Sequence, residues 1–447
     1  MRITADLQLH SRFARAVSKE MTLPNMAAWA MRKGIGLLAT GDWTHPLWFK
    51  EIEDQLTERG DGLLALKDAP PSSPLFLLAT EVSCIYSQNG KGRRIHTLIW
   101  VPTLESARKI NQQMTRQGCN LMSDGRPIIG LTSVQVADLV FSIEPEALII
   151  PAHSWTPWFS VYGAMSGFDS LDEAFGKYAQ QIYAVETGLS SNPSMNWQIA
   201  ELDGRQIVSF SDAHSGPKMG REATVFELEK LTYKHMYDAI ARPDKKNFIA
   251  YTIEFYPEEG KYHYSGHRNC NVRLTPDESR GKGSTCPVCG RPLTQGVMQR
   301  VEELAARTEN ELKLRNVNRH ADFGFAEEVR IVGSEAYPDR PPFVMVVPLI
   351  EIIAESLEKP VTSPRVQSLY TQLTDQIGTE FSILLERNVS ETIKIVGDRV
   401  AAGIQKVRKG DIYIDPGYDG VFGVVKLWKE GEEKPLVDAS REQLSIF

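Results

Sequence analysis

The length, composition and charge of the chain limit what it can be. It has 447 residues, 42% hydrophobic and 24% charged, which is typical of a globular protein with one large domain and one or two smaller ones. No apolar run is long enough to span a membrane, and the N-terminal MRITADLQLH lacks the apolar core of a secretion signal, so we expect a cytoplasmic protein without membrane contacts. The formal net charge of −7 excludes a uniformly basic surface, so any contact with DNA must come from local patches.

Short apolar, β-branched segments recur in the first 220 residues, and each ends at or beside a polar residue that can bind a metal. There are seven such ends, which hold His10; Asp42 and His45; Glu81; His96; His153; Glu186; and Asp212 and His214. Strands alternating with helices predict a parallel sheet, and functional groups after successive strands predict an α/β fold, a distorted (β/α)7 barrel with its site at the carboxyl ends. A doubly wound open sheet is the alternative, although it would gather ligands at one crevice.

Five of the nine histidines fall at these strand ends, joined by Asp42, Glu81 and Asp212. One histidine there would more often be a hydrogen-bonded core residue, but a group of imidazoles and carboxylates predicts a metal site. A carboxylate such as Glu81 can bridge two ions, as in-line phosphoryl displacement requires. We therefore expect two to three divalent ions in the barrel, which would be Zn²⁺, Mn²⁺ or Mg²⁺.

A second pattern follows the barrel segment. His267-x-x-Cys270 precedes Cys286-x-x-Cys289 by fifteen residues, a spacing that offers four ligands to one structural Zn²⁺. His263 is an alternative to His267, and a reduced surface pair of cysteines is the simpler interpretation. Residues 261–300 hold seven basic side chains against two acidic ones, so this module is well placed to contact phosphates.

Composition divides the chain into four parts. The predicted boundaries are 1–248 for the barrel, 249–305 for the zinc-binding basic module, 306–440 for a mixed and mainly helical C-terminal domain, and 441–447 for a tail. Within the third part, residues 406–428 return to short strands, with turns such as Asp415-Pro-Gly and Tyr418-Asp-Gly.

Several segments resemble the ordered motifs of the PHP (polymerase and histidinol phosphatase) superfamily of metal-dependent phosphoesterases. They are ADLQLHS, TGDWTH, ATEVS, RRIHTLIWVP, PAHSW, ETGLSSNP and SFSDAHS. The later segments GHRNC, CPVCGRPLT and RVEELAAR resemble the endonuclease Q family, and this resemblance extends nearly to the C-terminus. It implies a DNA-repair endonuclease that hydrolyses the phosphodiester bond 5′ of deaminated bases (uracil or hypoxanthine) or abasic sites, with damaged DNA as its partner.

The resemblance also implies residue roles. The implied ligand sets are His10, Glu81 and Asp212 for one ion, Glu81, His96 and His153 for a second, and His214 with His45 or Asp42 for a third, weaker one. Asp212, Glu81 and His153 would carry the catalysis, with Asp212 as both ligand and proton acceptor.

Two positions depart from the family pattern, and one loop matches it. Gln8 stands where the first motif normally has a histidine, and its amide oxygen is a weaker ligand, so the first ion should bind loosely. Phe210 stands where the family usually has an asparagine, so stacking would replace a hydrogen bond to an extruded base. The loop with Gly188 and Ser191 resembles the family's base pocket. The aromatic segment 155–159 is either a lid on that pocket or core packing.

The last residues resemble the short peptide by which bacterial repair proteins bind the sliding clamp. Gln443 would be the polar anchor, and Leu444, Ile446 and Phe447 would fill apolar pockets. A tail folded back on its own domain is the alternative.

Two other functions remain open at the level of sequence. One is a PHP phosphatase that acts on a small phosphate monoester, against which the zinc module and the long C-terminal region argue. The other is a lesion-binding protein with reduced catalysis, which the two departures from the family pattern would explain.

Overall fold

The computed structural model of the chain describes residues 1–435. The tail with Gln443, Leu444 and Phe447 lies outside the described residues. The strands are β1 (Arg2–Asp6), β2 (Leu37–Ala39), β3 (Leu56–Glu58), β4 (Leu64–Leu66), β5 (Leu75–Gln88), β6 (Lys91–Val101), β7 (Ile128–Ile129), β8 (Leu148–Pro151), β9 (Ala184–Glu186), β10 (Gln206–Val208), β11 (Ala223–Glu227), β12 (Phe248–Glu254), β13 (Ser265–His267), β14 (Val272–Leu274), β15 (Leu314–Asn316), β16 (Ile331–Ser334), β17 (Phe343–Met345), β18 (Tyr413–Asp415) and β19 (Val424–Lys426).

The helices are α1 (Leu23–Lys33), α2 (Pro46–Gln55), α3 (Leu104–Arg116), α4 (Ser133–Ile143), α5 (Leu171–Phe175), α6 (Pro193–Asn196), α7 (Tyr233–Ala241), α8 (Pro276–Lys282), α9 (Val297–Leu304), α10 (Glu309–Leu312), α11 (His320–Phe323), α12 (Leu349–Ser356), α13 (Pro364–Gln376), α14 (Glu380–Leu385) and α15 (Ser390–Lys409). Local signals explain several of their ends. Thr132 and Gln135 form a capping box at the start of α4, and Gly34, with φ 91°, ends α1. No helix within residues 1–435 is long and apolar enough to cross a bilayer.

The main sheet is mixed, which corrects the expected all-parallel arrangement. β1, β2 and β5 run parallel, but β1 pairs antiparallel with β11, and β6 pairs antiparallel with both β5 and β8. The β5–β6 pair is a long hairpin closed at Asn89 and Gly90, both with positive φ. Asn-Gly is the strongest short hairpin signal, so the sequence carried the information for this reversal.

Hydrogen bonds beyond the main sheet bring distant strand ends to one place. β9 and β10 form a separate parallel pair. The Ser154 N–H, just after β8, donates to the Glu186 carbonyl at 3.0 Å, and the Ser209 N–H, just after β10, donates to Thr224 of β11 at 2.9 Å. The His10 N–H donates to the Ala213 carbonyl at 3.4 Å. The residues that follow β1, β8, β9 and β10 therefore lie side by side.

The sheet continues across the predicted domain boundaries. β12 pairs with β11 on one side and, in parallel, with β17 on the other, and β16 and β15 extend this edge. The proposed zinc module, with hairpin β13–β14, is thus an insertion between two strands that lie next to each other in the sheet.

A buried ion pair joins the helical C-terminal region to the N-terminal half. Lys33, at the end of α1, lies 2.7 Å from the carboxylate of Glu380 at the start of α14, and both side chains are at most 2% exposed. Glu380 also accepts hydrogen bonds from the Tyr370 hydroxyl at 2.6 Å and the Leu349 N–H at 3.0 Å. The charge of Lys33 is thereby compensated within the core.

Candidate metal centre and neighbouring cavity

Two groups of potential metal ligands meet where the residues after β1, β8 and β10 approach strands β5 and β6. Glu81 and His96 lie inside β5 and β6, which corrects the expectation that they stand at strand ends. In the first, His10 Nε2 lies 3.1 Å from a carboxylate oxygen of Asp212, and the ligand atoms of His10, Asp212 and His214 all lie within 4.8 Å of one another. His10 Nε2 is also 3.1 Å from Glu81 Oε2. Because Glu81 belongs to the second group as well, the two groups share one carboxylate.

The second group is Glu81, His96 and His153, whose ligand atoms also lie within 4.8 Å of one another. Glu81 and His96 stand on the antiparallel strands β5 and β6, and His96 Nδ1 is 2.5 Å from Glu81 Oε1. His153 Nε2 approaches the same oxygen at 3.3 Å. The hairpin that was not anticipated therefore places two of these predicted ligands beside each other.

Hydrogen bonds orient three of the imidazoles. His10 Nδ1 lies 3.0 Å from Asp42, whose other oxygen accepts from the Ser11 N–H at 2.5 Å. His214 Nδ1 lies 2.8 Å from the carbonyl oxygen of Asp212. Since these oxygens can only accept, Nδ1 carries a proton in both rings, so Nε2 is the atom that each ring can offer to a metal.

His153 is held in the same way. The Ser160 hydroxyl donates to the His153 carbonyl at 2.5 Å, so its oxygen accepts from Nδ1 at 3.2 Å. The N–H of His153 donates to Glu186 at 2.7 Å. The backbone and the ring tautomer of His153 are therefore both fixed, with Nε2 directed at Glu81.

Unsatisfied polar atoms test whether this centre fits a cation. Gln8 Oε1, His10 Nε2 and Asp212 Oδ1 are buried without a hydrogen-bond donor or acceptor of good geometry. Leaving three buried lone pairs unmatched would be costly in an ordinary core. Clustered on imidazole, carboxylate and amide groups, they are the donor set that divalent ions take, so the residues fit.

The charges of the centre are strongly coupled. Burial acts against the charge of Glu81, but Arg126 and His96 lower its pKa well below the usual range. Burial also opposes a charge on His10, but Asp42 and Asp212 raise its pKa well above normal. For His96, burial dominates and lowers the pKa to about 4. The carboxylates are thus ionised and favour a cation among them.

Arg126 is a component that the sequence reasoning missed. Its guanidinium lies 3.5 Å from both carboxylate oxygens of Glu81, and its side chain is 26% exposed at the mouth of the centre. Burial acts to lower its pKa, but Glu81, Asp212 and Asp42 together raise it. In the sequence, the Asp124-Gly125 pair just before it indicates a turn. In the structure that turn lies against the centre, because a Cβ at Gly125 would clash with the Asp42 carboxylate.

Asp42 and His45 do not join His214 in a third ligand set. Asp42 has both oxygens engaged by His10 and Ser11, so it positions a ligand. His45 begins α2, and its ring stacks on Phe13 with 4.6 Å between centroids. Within residues 1–435, His214 is grouped with His10 and Asp212 instead.

Behind the centre lies a layer of carboxyl groups with a different charge state. Burial raises the pKa of Glu186 and of Glu222 well above normal, and that of Glu254 to about 7. Glu222 accepts from the Leu189 N–H at 3.0 Å, and Glu254 from the Ser209 hydroxyl at 2.5 Å. Burial therefore favours the neutral form of Glu186 and Glu222, and both serve as hydrogen-bonding supports.

A cavity opens next to the centre. It has a volume of about 250 Å³, is lined mostly by apolar surface, and lies between the barrel and the segment before β13. Gly188 lines it with φ 59°, and a Cβ there would lie 2.2 Å from the His153 Cβ. Only glycine fits this contact. The other lining residues are Thr156, Leu189, Ser190, Pro257, Gly260, Lys261, Tyr262, His263 and Val297.

Two predicted pocket residues lie elsewhere. Ser191 is fully buried, and its hydroxyl donates to the Thr187 carbonyl at 3.1 Å. It therefore stabilises the loop that contains Gly188 without lining the cavity. Phe210 is fully buried against Trp100, with 5.6 Å between ring centroids, so it cannot stack on a base. The expectation for Phe210 was wrong because β10 directs this side chain into the core.

The aromatic segment 155–159 has mixed roles. Trp155 is buried on Tyr162, and Phe159 lies against His96 with centroids 4.9 Å apart. Trp158 is half-buried and contacts Tyr262 of the cavity wall, with centroids 5.4 Å apart. Of the three, only Trp158 contacts the cavity wall.

The predicted zinc ligands converge. His267, Cys270, Cys286 and Cys289 place their ligand atoms within 4.8 Å of one another, compatible with one metal ion, and His263 is not among them. Burial acts to raise the pKa of Cys286, but the N–H groups of Cys289 and Val288 lower it to about 6. A thiolate at this position suits a metal.

The basic excess of the module is largely neutralised by neighbouring acids. Arg273 pairs with Asp415, Arg280 with Asp277 and Glu302, Lys282 with Glu278, and Arg300 with Asp169. The side chains of Lys261, Arg268 and Arg291 form no salt bridge with a carboxylate among the described residues. These three remain available for phosphates.

Sequence comparisons link the chain to proteins from archaea and bacteria. Residues 348–411 match the family model described as the MJ0043 C-terminal domain. The uncharacterized protein MJ0043 of Methanocaldococcus jannaschii is 30% identical over 275 residues, which are 61% of this chain but 31% of that protein, so the match spans about a third of that relative. The uncharacterized protein YqxK of Bacillus subtilis is 27% identical over 440 residues, covering 95% of this chain and 99% of that protein.

The fold and the centre define an α/β protein whose buried imidazole and carboxylate groups suit divalent metal ions. Two solved structures match it over nearly its whole length. The lesion-specific endonuclease PfuEndoQ from Pyrococcus furiosus is 30% identical, with a TM-score of 0.78 and 95% coverage of both chains. Endonuclease Q in complex with a 27-mer duplex carrying an abasic lesion at the active site is 30% identical, with a TM-score of 0.79 and coverage of 96% and 98%. The chain belongs to the endonuclease Q family.

Proposed function

We propose that this chain is a metal-dependent DNA-repair endonuclease that hydrolyses the phosphodiester bond 5′ of a deaminated base or an abasic site. The observation that carries the proposal is the contact between the cavity and the metal centre, since Gly188 lines the cavity and packs on His153. A base extruded into the cavity would have its own phosphate at the centre. The endonuclease Q structure with an abasic lesion at its active site supports this arrangement.

The residues divide the work as follows. His10, Asp212 and His214 with Gln8 would hold one ion, Glu81, His96 and His153 another, and Glu81 would lie between them. Bound divalent ions would neutralise the phosphate charge and make a water more acidic. The cysteine-rich module would hold a structural zinc, because its four protein ligands leave no open position.

Asp212 is the group that we assign as proton acceptor. Its side chain is 23% exposed at the mouth of the centre, where Glu81 is only 1% exposed. Burial acts to raise the pKa of Asp212, but the neighbouring His10 ring lowers it. Asp212 is therefore ionised near neutral pH and accessible to the proton that the attacking water releases.

Arg126 faces the same opening and would bind a phosphate oxygen. Its guanidinium is already desolvated and lies beside Glu81, so it needs little reorganisation when DNA arrives. Arginine suits this role because its planar fork of N–H groups matches phosphate oxygens.

The direct test uses end-labelled duplexes that carry uracil, hypoxanthine, an abasic site or no lesion. After EDTA treatment and add-back of Mg²⁺, Mn²⁺ or Zn²⁺, the protein should nick only the damaged strands. The upstream fragment should end in a 3′-hydroxyl, and the fragment that retains the lesion should begin with a 5′-phosphate. The Asp212→Asn protein, purified in parallel, excludes a contaminating nuclease.

Three results would contradict the proposal: release of the base, equal cleavage of undamaged DNA, or cleavage of the labelled strand at positions unrelated to the lesion. Hydrolysis of p-nitrophenyl phosphate without nicking would instead support the small-molecule phosphatase. Tight lesion binding with no cleavage under any metal would support the lesion-binding alternative.

A further inference from the structure

A rigid loop next to the cavity exposes an aromatic ring to solvent. Residues 416–423 join β18 to β19, and Phe422 in this loop is 63% exposed. Its neighbour Val421 is 40% exposed. Single exposed apolar residues are common on protein surfaces, so the surroundings of Phe422 decide whether it has a role.

The loop backbone is fastened to the wall of the cavity. Gly417 and Gly423 donate their N–H groups to the carbonyls of Glu258 and Glu259 at 2.8 and 2.9 Å, and Gly420 donates to the carbonyl of Lys261 at 2.9 Å. Asp419 ties the loop to the cysteine-rich module by accepting from the Arg268 N–H at 2.7 Å. Anchors on both sides of Phe422 hold its ring in a fixed outward position.

The ring also lies beside a cation that lines the cavity. Lys261 Nζ is 4.4 Å from the centroid of Phe422, and Lys261 is one of the lining residues. The side chains of Lys261 and the nearby Arg268 form no salt bridge with a carboxylate of residues 1–435. A rigid aromatic side chain with free cations, at the rim of a cavity sized for one ring system, fits duplex DNA better than a protein partner.

We propose that Phe422 is the wedge that enters the base stack of duplex DNA and fills the space left by the extruded nucleotide. The inference rests on the proposed endonuclease function and deepens it, because it names base-paired DNA as the substrate form that needs this residue. Apolar side chains inserted between base steps offset the cost of unstacking, and Lys261 would contact the adjacent backbone.

The test compares uracil in single-stranded DNA with uracil in a duplex. Phe422→Ala should slow nicking of the duplex roughly tenfold, the value of about one lost base–aromatic stack. It should change nicking of the single strand by less than about twofold, because no stack remains to be opened. Phe422→Trp should restore the duplex rate, and Met31→Ala, which shortens an apolar side chain that is 41% exposed on α1, should leave both rates unchanged.

A second measurement follows the wedge without cleavage. The duplex carries 2-aminopurine, a fluorescent base analogue that brightens when it is unstacked, next to the lesion, and EDTA prevents cleavage. Binding of the wild-type protein should raise the fluorescence of 2-aminopurine, and binding of Phe422→Ala should not. If Phe422→Ala lowered the nicking rate equally on single-stranded and duplex DNA, or lowered neither rate, the wedge proposal would be wrong. If wild type nicks none of these substrates, the endonuclease proposal itself fails, which is a different result.

Discussion

Two regions of the molecule bring metal-binding side chains together, and they differ in what surrounds them. The centre around Glu81 lies at the meeting point of several strands of a large core, and its ligands are positioned by Asp42, Ser160 and Glu186. The His267 and Cys286 group is packed on a small apolar cluster of its own, with Val272 and Leu274 at its heart. The side chains of the first region are held in place by the surrounding core, whereas we expect the second region to depend on a bound metal for its structure.

The sharpest way to break this comparison is Cys286→Ser. Because structural zinc supplies roughly 10 kcal/mol in small modules with little core, residues 265–295 should unfold locally and the protein should lose about one zinc per chain. Metal analysis and limited proteolysis measure both effects, with Cys119→Ser as the control outside the module. Unchanged zinc content and proteolysis would mean that the module stands without its metal.

Asp212→Asn tests the other region. The variant keeps the shape and the positive φ of 47° that asparagine tolerates, so the fold should survive. Nicking should fall by roughly a thousandfold, more than the 10- to 100-fold typical of residues that only position metal ligands. Single-turnover rates at saturating metal are the measurement, with Asp138→Asn, exposed on α4, as the matched control. A rate near wild type would remove Asp212 from the mechanism.

Phe210→Asn asks whether a residue two positions before Asp212 belongs to the site or to the core. Since Phe210 is fully buried against Trp100, the variant should lose about 3 kcal/mol of unfolding free energy, as large-to-small core changes do. Its preference between uracil and hypoxanthine should stay the same. Urea denaturation and paired nicking assays measure the two effects, and a changed preference with full stability would return Phe210 to the pocket.

The smallest effect is expected for Gln8→His. Gln8 donates to Glu81 at 3.0 Å and leaves its amide oxygen buried without a partner. An imidazole at this position should bind the ion more strongly and lower the metal concentration for half-maximal nicking by roughly tenfold. Gln8→Ala should shift that titration in the opposite direction. Superimposable titrations for all three proteins would place residue 8 outside the metal's coordination.

The sequence predicted which side chains lie close together, because apolar segments that hold polar residues follow a local pattern. His10, Glu81, His96, His153 and Asp212 lie together as the recurring apolar segments implied. The direction of pairing was harder, since one Asn-Gly turn reverses β6 and a mixed sheet results. Arg126 was not predicted, because it follows an irregular segment in which no periodicity indicates the direction of a side chain.

The side on which Phe210 lies could not be read from its neighbours. It stands between Ser209 and Ser211, both buried and hydrogen-bonded, so polarity did not indicate the inward face. Domain boundaries were similarly hidden, because composition changes at the inserted module while the sheet continues from β12 to β17.

The ion pair of Lys33 with Glu380 links the two halves of the chain inside one core. A substitution that removes the Glu380 carboxylate would leave the ammonium of Lys33 buried without its counter-charge. An unpaired buried charge destabilises a protein by several kcal/mol, a large share of the total for a typical domain. Anyone who redesigns the helical region will therefore have to change Lys33 and Glu380 together, since replacing both partners of a buried pair by apolar residues is far better tolerated than removing one.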